Sequence, residues 1–327
     1  MGKYKWKICL LISALLAVAA AGVFFFHSQS LTSRTLEIVL IQKTVDESDF
    51  WVSVSEGAEM AAKENNVELT IRGPKSEREI EKAHQMILDT IEEKPDAVVL
   101  APISYEETLP YARKIEEAGI SLTLMDSSMA EEAGESIVAT DNVEGGYKMG
   151  EFMRQFVDED TVIGIVGHVK GSSTAVERER GFRLGLGDAE DRIVDVVFCE
   201  SSYELAYEVT VDMLERYPEM NMIAGLNEYS AVGAARAVVE LGLAEQIHMV
   251  GFDSSQEEIQ FLEAGVFDAI VIQKPFNMGY LAIETAAKAA RGQKVEANVD
   301  SGSELITKEN MYTEENQKLL FPFFGGE

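Results

Sequence analysis

Short apolar runs rich in branched residues alternate along most of the chain with longer segments whose apolar residues share one helical face. The first pair is 37–41, typical of a buried strand, and 50–65, where Trp51, Val54 and Ala58 recur at helical spacing. Strands that alternate with helices in this way predict parallel βαβ units, with helices on both faces of each sheet.

The same pattern predicts the later elements and several of their ends. Ser76 with Glu79 and Ser255 with Glu258 have the spacing of a capping box, which opens a helix. Gly265 is placed to end the second of these helices. Strands are expected at 67–71, 95–101, 120–125, 161–166, 193–198, 222–226, 247–251 and 267–272. Helices are expected at 76–93, 104–119, 175–186, 203–217, 228–241, 255–265 and 277–291.

The two halves of the chain follow one plan, since 95–100 and 218–223 have the same character and the fourth strand of each half ends in an acid, Asp126 or Asp253. We therefore predict an α/β fold of two Rossmann-like, doubly wound lobes with parallel sheets, joined by a multi-strand hinge. Ordered strands are expected to cross near 140–142, 273–275 and 299–307. The predicted division is 36–140 with 274–298, 141–273 with 299–318, and a tail at 319–327.

The amino terminus predicts an export signal. Lys3, Lys5 and Lys7 precede an uncharged run at 8–26, which as a helix spans roughly 28 Å, about one hydrocarbon core. Residues 1–30 are interpreted as an N-terminal membrane anchor or a cleaved signal peptide, with an uncleaved anchor favoured. The remainder is expected to be extracytoplasmic, either membrane-anchored at the cell surface or periplasmic.

Composition excludes several classes of protein. The chain has 327 residues, of which 28 are Lys or Arg and 57 are Asp or Glu, so its formal net charge is −29. A nucleic-acid partner is excluded, because phosphate binding needs a basic surface. The two cysteines exclude a disulfide scaffold. No metalloprotease, serine-hydrolase, P-loop or redox motif occurs, so no enzyme activity, cofactor or metal is predicted. The Gly145-Gly146 pair is interpreted as letting a helix lie close to the sheet, in preference to forming a phosphate-binding loop.

Polar and aromatic residues follow the predicted strands. In open α/β sheets the ligand lies beyond the carboxyl ends of the strands, and two facing lobes share one cleft. Carboxylates, an arginine and amides there suit the hydroxyls of a sugar ring, and an aromatic face packs on its C–H side. The strand-end candidates include Lys43, Phe50, Trp51, Asp126, Ser127, Arg178, Tyr203, Asn227, Asp253 and Gln273.

Several motifs, in order and spacing, resemble the type I periplasmic sugar-binding proteins, a ribose-binding-like family of ABC transporter solute-binding proteins. The similarity runs from about residue 36 to 308. The motifs are Phe50-Trp51, PDAVVLAP at 95–102, Thr140-Asp141-Asn142, ERERGF at 177–182, Asn227-Glu228, Gly251-Phe252-Asp253 and Gln273-Lys274-Pro275. This resemblance implies two lobes that are joined by three crossings and close on a monosaccharide.

The resemblance also implies which residues contact the ligand. By position, these are Phe50, Trp51, Asp126, Arg178, Tyr203, Asn227, Asp253 and Gln273. Ser127 stands where ribose-type members usually have an arginine, and Lys43 adds a cation, so both are possible further contacts. The identity of the sugar stays open, and an acidic or phosphorylated ligand is one alternative.

The leading hypothesis is an extracytoplasmic solute-binding protein that presents a monosaccharide-like ligand to an ABC-type sugar importer. An alternative is a membrane-anchored accessory that senses a sugar beside a two-component histidine kinase. A third is a sugar hydrolase or isomerase that acts through Asp126 and Asp253. The expected partners are a sugar or sugar derivative, an ABC permease or a membrane sensor kinase, and the membrane through the N-terminal segment.

Overall fold

A computed structural model describes residues 34–46 and 48–321. The predicted anchor or signal peptide at 1–30, and most of the predicted tail, lie outside these ranges. Within them, no helix has the length and apolar character needed to cross a membrane.

In the described ranges, strands and helices alternate as predicted, but the pattern did not predict the strand Ser136–Ala139 or the helices Asn142–Met153 and Glu314–Leu320. The strands are β1 (Leu36–Ile41), β2 (Val67–Arg72), β3 (Ala97–Leu100), β4 (Ser121–Met125), β5 (Ser136–Ala139), β6 (Ile163–Gly167), β7 (Ile193–Phe198), β8 (Met222–Gly225), β9 (His248–Phe252), β10 (Ala269–Gln273), β11 (Asn298–Asp300) and β12 (Ser303–Thr307). The helices are α1 (Asp49–Glu64), α2 (Ile80–Glu93), α3 (Leu109–Glu117), α4 (Asn142–Met153), α5 (Ser173–Leu186), α6 (Tyr203–Arg216), α7 (Glu228–Glu240), α8 (Gln256–Ala264), α9 (Pro275–Ala290) and α10 (Glu314–Leu320). Two short 3₁₀ turns follow α4 and α5.

The strands form two six-stranded sheets, one in each lobe. Their orders are β11-β5-β4-β3-β1-β2 and β12-β10-β9-β8-β6-β7. Neighbouring strands run parallel except β12, which is antiparallel to β10. This arrangement confirms the predicted pair of doubly wound α/β lobes.

Each sheet lies between two layers of helices. Along β1, Ile38 and Leu40 face a core shared with α1 and α9, whereas Val39 and Ile41 face a core shared with α2 and α3. Alternate residues of a strand point to opposite faces, and burial on both faces explains why this strand is a continuous apolar run. In the second lobe α4 and α5 cover one face, and α6, α7 and α8 cover the other.

The lobes are connected by three short crossings, at 140–141, at 274 and at 301–302. The crossings near 140–142 and 273–275 lie where they are predicted, but they are short links and not the predicted ordered strands. β5 ends at Ala139 and α4 begins at Asn142, and β10 ends at Gln273 and α9 begins at Pro275. The predicted division at 298/299 falls inside β11, which pairs with β5 of the first sheet. Two crossings are hydrogen-bonded to each other, since Thr140 Oγ1 lies 3.0 Å from Ser301 Oγ.

Two predicted helix starts have different outcomes. Ser255 and Glu258 form the predicted capping box, and Gly265 ends the helix with a φ of 81°. The box predicted at Ser76 does not form, because α2 begins at Ile80. The Glu79 carboxylate instead accepts a 2.7 Å hydrogen bond from the Lys75 backbone N–H, which closes a turn ahead of the helix.

Gly145 and Gly146 lie inside α4, where the helix meets α5 and the sheet. A Cβ on Gly146 would lie 2.1 Å from the backbone oxygen of Arg178, and one on Gly145 would lie 2.9 Å from the Phe252 ring. The pair therefore serves close packing, as predicted.

Candidate functional site

The carboxyl ends of both sheets face one cavity between the lobes. The centre of a water molecule can occupy about 30 Å³ of it, room for one or two water molecules, and the empty space including the open mouth measures about 370 Å³. A sugar ring therefore enters only if the lobes separate or side chains move. The cavity is lined by Lys43, Ser48, Phe50, Trp51, Glu77, Asp126, His168, Thr174, Arg178, Asn227, Glu228, Tyr229, Asp253 and Gln273.

Most of the site residues predicted from sequence meet in this cavity. They are Phe50, Trp51, Asp126, Arg178, Asn227, Asp253 and Gln273, with the possible contact Lys43. Two predicted residues do not line it. The Ser127 hydroxyl donates a 2.8 Å hydrogen bond to Asp126 Oδ2, and the Tyr203 hydroxyl donates to Glu228 from behind the cavity wall.

Neither strand-end acid is the N-cap of the helix that follows it in the chain. Asp126 follows β4 and Asp253 follows β9, and both have positive φ, 66° and 93°. Helix α8 is capped by Ser255 instead. A positive φ costs a non-glycine residue energy, and such strain concentrates at functional sites. The unusual backbone turns both carboxyl groups into the cleft.

Lys43 and Asp126 form a buried ion pair in the first lobe. Lys43 Nζ lies 2.6 Å from Asp126 Oδ2, and both side chains are almost fully buried. Burial alone would raise the pKa of Asp126, but the nearby Lys43 ammonium outweighs it, so the pKa falls below its usual value. The Lys43 charge is therefore already compensated, which weakens the argument for an acidic or phosphorylated ligand.

Arg178 projects from α5 and is 3 % exposed. Its Nε donates a 2.8 Å hydrogen bond to Asn142 Oδ1, and Nη1 donates one of 2.8 Å to the Leu226 carbonyl. The guanidinium carbon also lies 3.8 Å from the centre of the Phe252 ring, a cation–π contact. Three fixed contacts orient the guanidinium, because a planar fork held at two nitrogens cannot rotate.

Asp253 is held by two hydrogen bonds in the second lobe. Gln273 Nε2 donates to Oδ1 at 2.7 Å, and the Glu228 backbone N–H donates to Oδ2 at 2.9 Å. Each carboxylate oxygen accepts more than one hydrogen bond, so both keep a lone pair for a ligand hydroxyl. Asn227 begins α7, and its Oδ1 accepts from Ser230 N at 3.0 Å. That bond leaves the amide NH₂ of Asn227 as a donor toward the cavity.

Glu228 bridges the lobes. Its Oε2 accepts a 3.4 Å hydrogen bond from the Phe50 backbone N–H, and its Oε1 accepts from Tyr203. Burial raises the pKa of Glu228 to about 7, although the Tyr203 hydrogen bond opposes the shift. The carboxyl group therefore titrates near neutral pH.

Phe50 and Trp51 differ in how deeply they are buried. Trp51 is 4 % exposed and belongs to the first-lobe core, while Phe50 is partly buried. The rings meet edge to face, with centroids 5.1 Å apart. Because adjacent helical residues point in different directions, Trp51 packs in the core while Phe50 stays partly exposed.

Sequence reasoning missed Glu77, His168 and Tyr229. His168 directly follows β6, so the strand-end rule already contained the signal for it. Glu77 comes from the turn ahead of α2, and Tyr229 from the first turn of α7, where no sequence pattern marks them. The Tyr229 hydroxyl donates across the cleft to Asp46.

Comparison with known proteins gives consistent matches. Residues 38–294 match the family model described as a periplasmic binding protein domain. The D-ribose/D-allose-binding protein of Pseudomonas aeruginosa is 26% identical over 310 residues, 91% of this chain and 97% of that protein. The ribose import binding protein RbsB of Bacillus subtilis is 24% identical over 281 residues, 86% of this chain and 90% of that protein.

Solved structures agree. The crystal structure of a sugar transporter from Clostridium phytofermentans is 40% identical, has a TM-score of 0.79, and covers 84% of this chain and 100% of its own. An ABC transporter solute-binding protein from Agrobacterium vitis with bound D-fucose is 29% identical, has a TM-score of 0.82, and covers 87% of this chain and 100% of its own.

Proposed function

The chain belongs to the periplasmic binding protein family, and on that premise we propose that it captures a monosaccharide-like ligand between its lobes for an ABC-type sugar importer. The relatives compared above are periplasmic sugar-binding proteins, which are not enzymes. Relatives named for ribose, allose and fucose binding support a sugar as the ligand class.

One observation carries the proposal: an acid from each lobe and a fixed guanidinium face the same small cavity. Asp126 comes from the first lobe, and Asp253 and Arg178 come from the second. A ring held between them donates hydroxyl protons to the acids and accepts a hydrogen bond from the arginine. Each hydrogen bond to a charged group contributes about 1.5–3 kcal/mol, so three or four, less ordering costs, reach the roughly −8 kcal/mol of a micromolar ligand.

The proposed ligand contacts are Phe50, Trp51, Asp126, Arg178, Asn227, Asp253 and Gln273. Their supporting neighbours are Lys43, which holds Asp126, and Ser127, which donates to the same carboxylate. The proposed lobes meet at the three short crossings, which act as the hinge.

Ligand entry requires the hinge to open. Bonds that join the lobes across the cleft include Gln256 N to Asp49 Oδ2 at 2.8 Å and Ser128 N to Ser173 Oγ at 3.1 Å. These bonds must break for a sugar to enter and can re-form around it. Closure then removes water from the site and makes a mismatched hydroxyl costly.

Calorimetric titration tests the proposal. The purified full chain, in mild detergent, is titrated with ribose, allose, fucose, glucose, galactose and arabinose, and small-angle scattering is recorded with and without the tightest binder. We expect saturable heat with at least one sugar and a ligand-dependent change in scattering. No saturable heat with any of the sugars would contradict the proposal.

A further inference from the structure

Two buried polar atoms at the cavity have no hydrogen-bond partner in the part of the chain that the structure describes. Gln273 is 4 % exposed, and its Nε2 donates to Asp253, which leaves Oε1 without a partner among the described residues. His168 is 3 % exposed, and within the same ranges its Nδ1 has no partner. Buried polar atoms without partners are costly, so these atoms point to a ligand that satisfies them.

Glu77 adds a carboxyl group to the cavity without a cation of the protein close to it. It reaches the cavity from the turn ahead of α2. The nearby ammonium of Lys43 is bound to Asp126 at 2.6 Å. Within the ranges that the structure describes, no Lys, Arg or His nitrogen lies within 4.0 Å of the Glu77 carboxylate. Burial raises the pKa of Glu77, and Lys43 only partly opposes the shift.

The whole cavity is short of positive charge. Its lining has four carboxyl groups, of Glu77, Asp126, Glu228 and Asp253, but only two permanent cations, Lys43 and Arg178. Because cations are few, the acids raise one another's pKa values. After burial, the charge of Asp126 further raises the pKa of Glu77, and that of Asp253 further raises the pKa of Glu228. A buried carboxylate without a counter-ion gains most from a cation on the ligand.

From this arrangement, and resting on the proposed sugar-binding function, we infer that the ligand is a cationic aminodeoxy monosaccharide whose ammonium pairs with Glu77. The ring hydroxyls bind Asp126, Asp253 and Arg178. The ammonium or a neighbouring hydroxyl donates to Gln273 Oε1. An anionic sugar is excluded from the same place, because its charge would lie among four carboxyl groups and the Lys43 ammonium is already paired with Asp126.

Matched sugars of different charge test this inference on the full chain at pH 7. The first sets are glucosamine, glucose and glucuronate, and galactosamine, galactose and galacturonate. Any other neutral sugar that binds in the wider panel is tested with its own monoaminodeoxy analogues. We expect an aminodeoxy sugar to bind at least tenfold more tightly than its neutral parent, and the uronates not to bind.

Variants at Glu77 separate charge pairing from general packing. Glu77→Gln keeps the shape and removes the charge, and it is expected to bring the amino-to-parent affinity ratio close to one. Glu77→Asp keeps the charge and should retain a preference for the amino sugar. Circular dichroism melting curves establish that each variant is folded.

The outcomes distinguish this inference from the proposed function. A neutral sugar that binds more tightly than every amino analogue overturns the inference and leaves the sugar-binding function standing. Binding of a uronate would have the same consequence. An amino-to-parent affinity ratio that Glu77→Gln leaves unchanged would also overturn the inference and leave the sugar-binding function standing. Absence of binding by every sugar, charged or neutral, overturns the proposed function itself.

Discussion

Asp126 and Asp253 occupy matching positions in the two lobes, each directly after a buried strand and each with a positive φ. Aspartate tolerates this backbone region better than most residues, but the conformation still costs energy. The protein keeps the strain because it turns two carboxyl groups from opposite lobes toward one cavity. In the proposed function, a ligand that binds both acids holds the two lobes together, which would couple its binding to lobe closure.

Replacing Asp253 is expected to weaken sugar binding without unfolding the protein. Asp253→Asn keeps the size and the tolerance of positive φ but removes the charge that strengthens hydrogen bonds to ligand hydroxyls. A loss of roughly 10- to 100-fold in affinity follows from about 1.5–3 kcal/mol for such a bond. Calorimetry measures it, and Asp212→Asn, on the exposed face of α6, is the control. Equal affinity of the Asp253 variant and the wild type would remove this acid from the site.

The Lys43–Asp126 ion pair is expected to stabilise the fold above the acid range. Because the pKa of Asp126 is lowered in the folded state, this contribution is present above the carboxyl's unfolded value, about 3.9, and is lost as the pH falls through the folded value. Lys43→Met leaves a buried acid unpaired and should cost about 3–5 kcal/mol at pH 7. That difference should shrink on acidification, as Asp126 of the variant becomes protonated.

Urea unfolding at pH 7 and at pH 4 measures the effect of Lys43→Met. Lys318→Met is the matched control, since its partner Glu314 and Lys318 itself are both exposed, and it should leave the unfolding curve almost unchanged. A Lys43 variant that is as stable as the wild type at pH 7 would show that the ion pair contributes nothing.

Glu228 is expected to make stability fall as the pH rises from 5 to 7. Its folded pKa of about 7 lies above its unfolded value, so the unfolded chain loses this proton first. The group therefore stabilises the fold fully below its unfolded pKa, and the contribution is lost as the pH rises through the folded pKa. A shift of this size corresponds to about 3 kcal/mol as an order of magnitude.

Denaturant unfolding at pH 5, 6, 7 and 8 tests the role of Glu228. Glu228→Gln should abolish much of the fall in the free energy of unfolding between pH 5 and pH 7. Glu219→Gln, at an exposed acid, should not. Tyr203→Phe removes the hydrogen bond that lowers the pKa of Glu228, so the fall should move to higher pH. An unchanged profile in Glu228→Gln would assign the pH dependence to another group.

Gly146→Ala is expected to destabilise the protein, against the usual effect of alanine in a helix. Alanine normally favours a helix over glycine by about 0.5–1 kcal/mol. Here its Cβ would lie 2.1 Å from the Arg178 backbone oxygen, so α4 and α5 must move apart. Such overpacking costs about 1–3 kcal/mol, and the shift displaces the arginine. The free energy of unfolding and the affinity for sugar should both fall, whereas Glu144→Ala, on the exposed side of α4, should change neither.

The candidate site was only partly predictable. The strand-end rule places Asp126, Asp253 and Gln273 in one cleft, because parallel strands end at one edge of a sheet. Tyr203 also begins the helix after a strand, yet its hydroxyl lies behind Glu228. How far a helix is rotated about its axis decides such a position, and packing against distant residues sets that rotation.

Patterns in the amino-acid sequence are sufficient to predict the alternation of strands and helices, the two matched lobes and the acids at the strand ends. These features follow from hydrophobic period, capping and turn chemistry, all of which act over a few neighbouring residues. The ion pair between Lys43 and Asp126, the position of Glu77 at the cavity and the bridge that Glu228 makes between the lobes are visible only in the folded structure. Each of these depends on burial and on contacts between residues far apart in the chain, which no local pattern encodes.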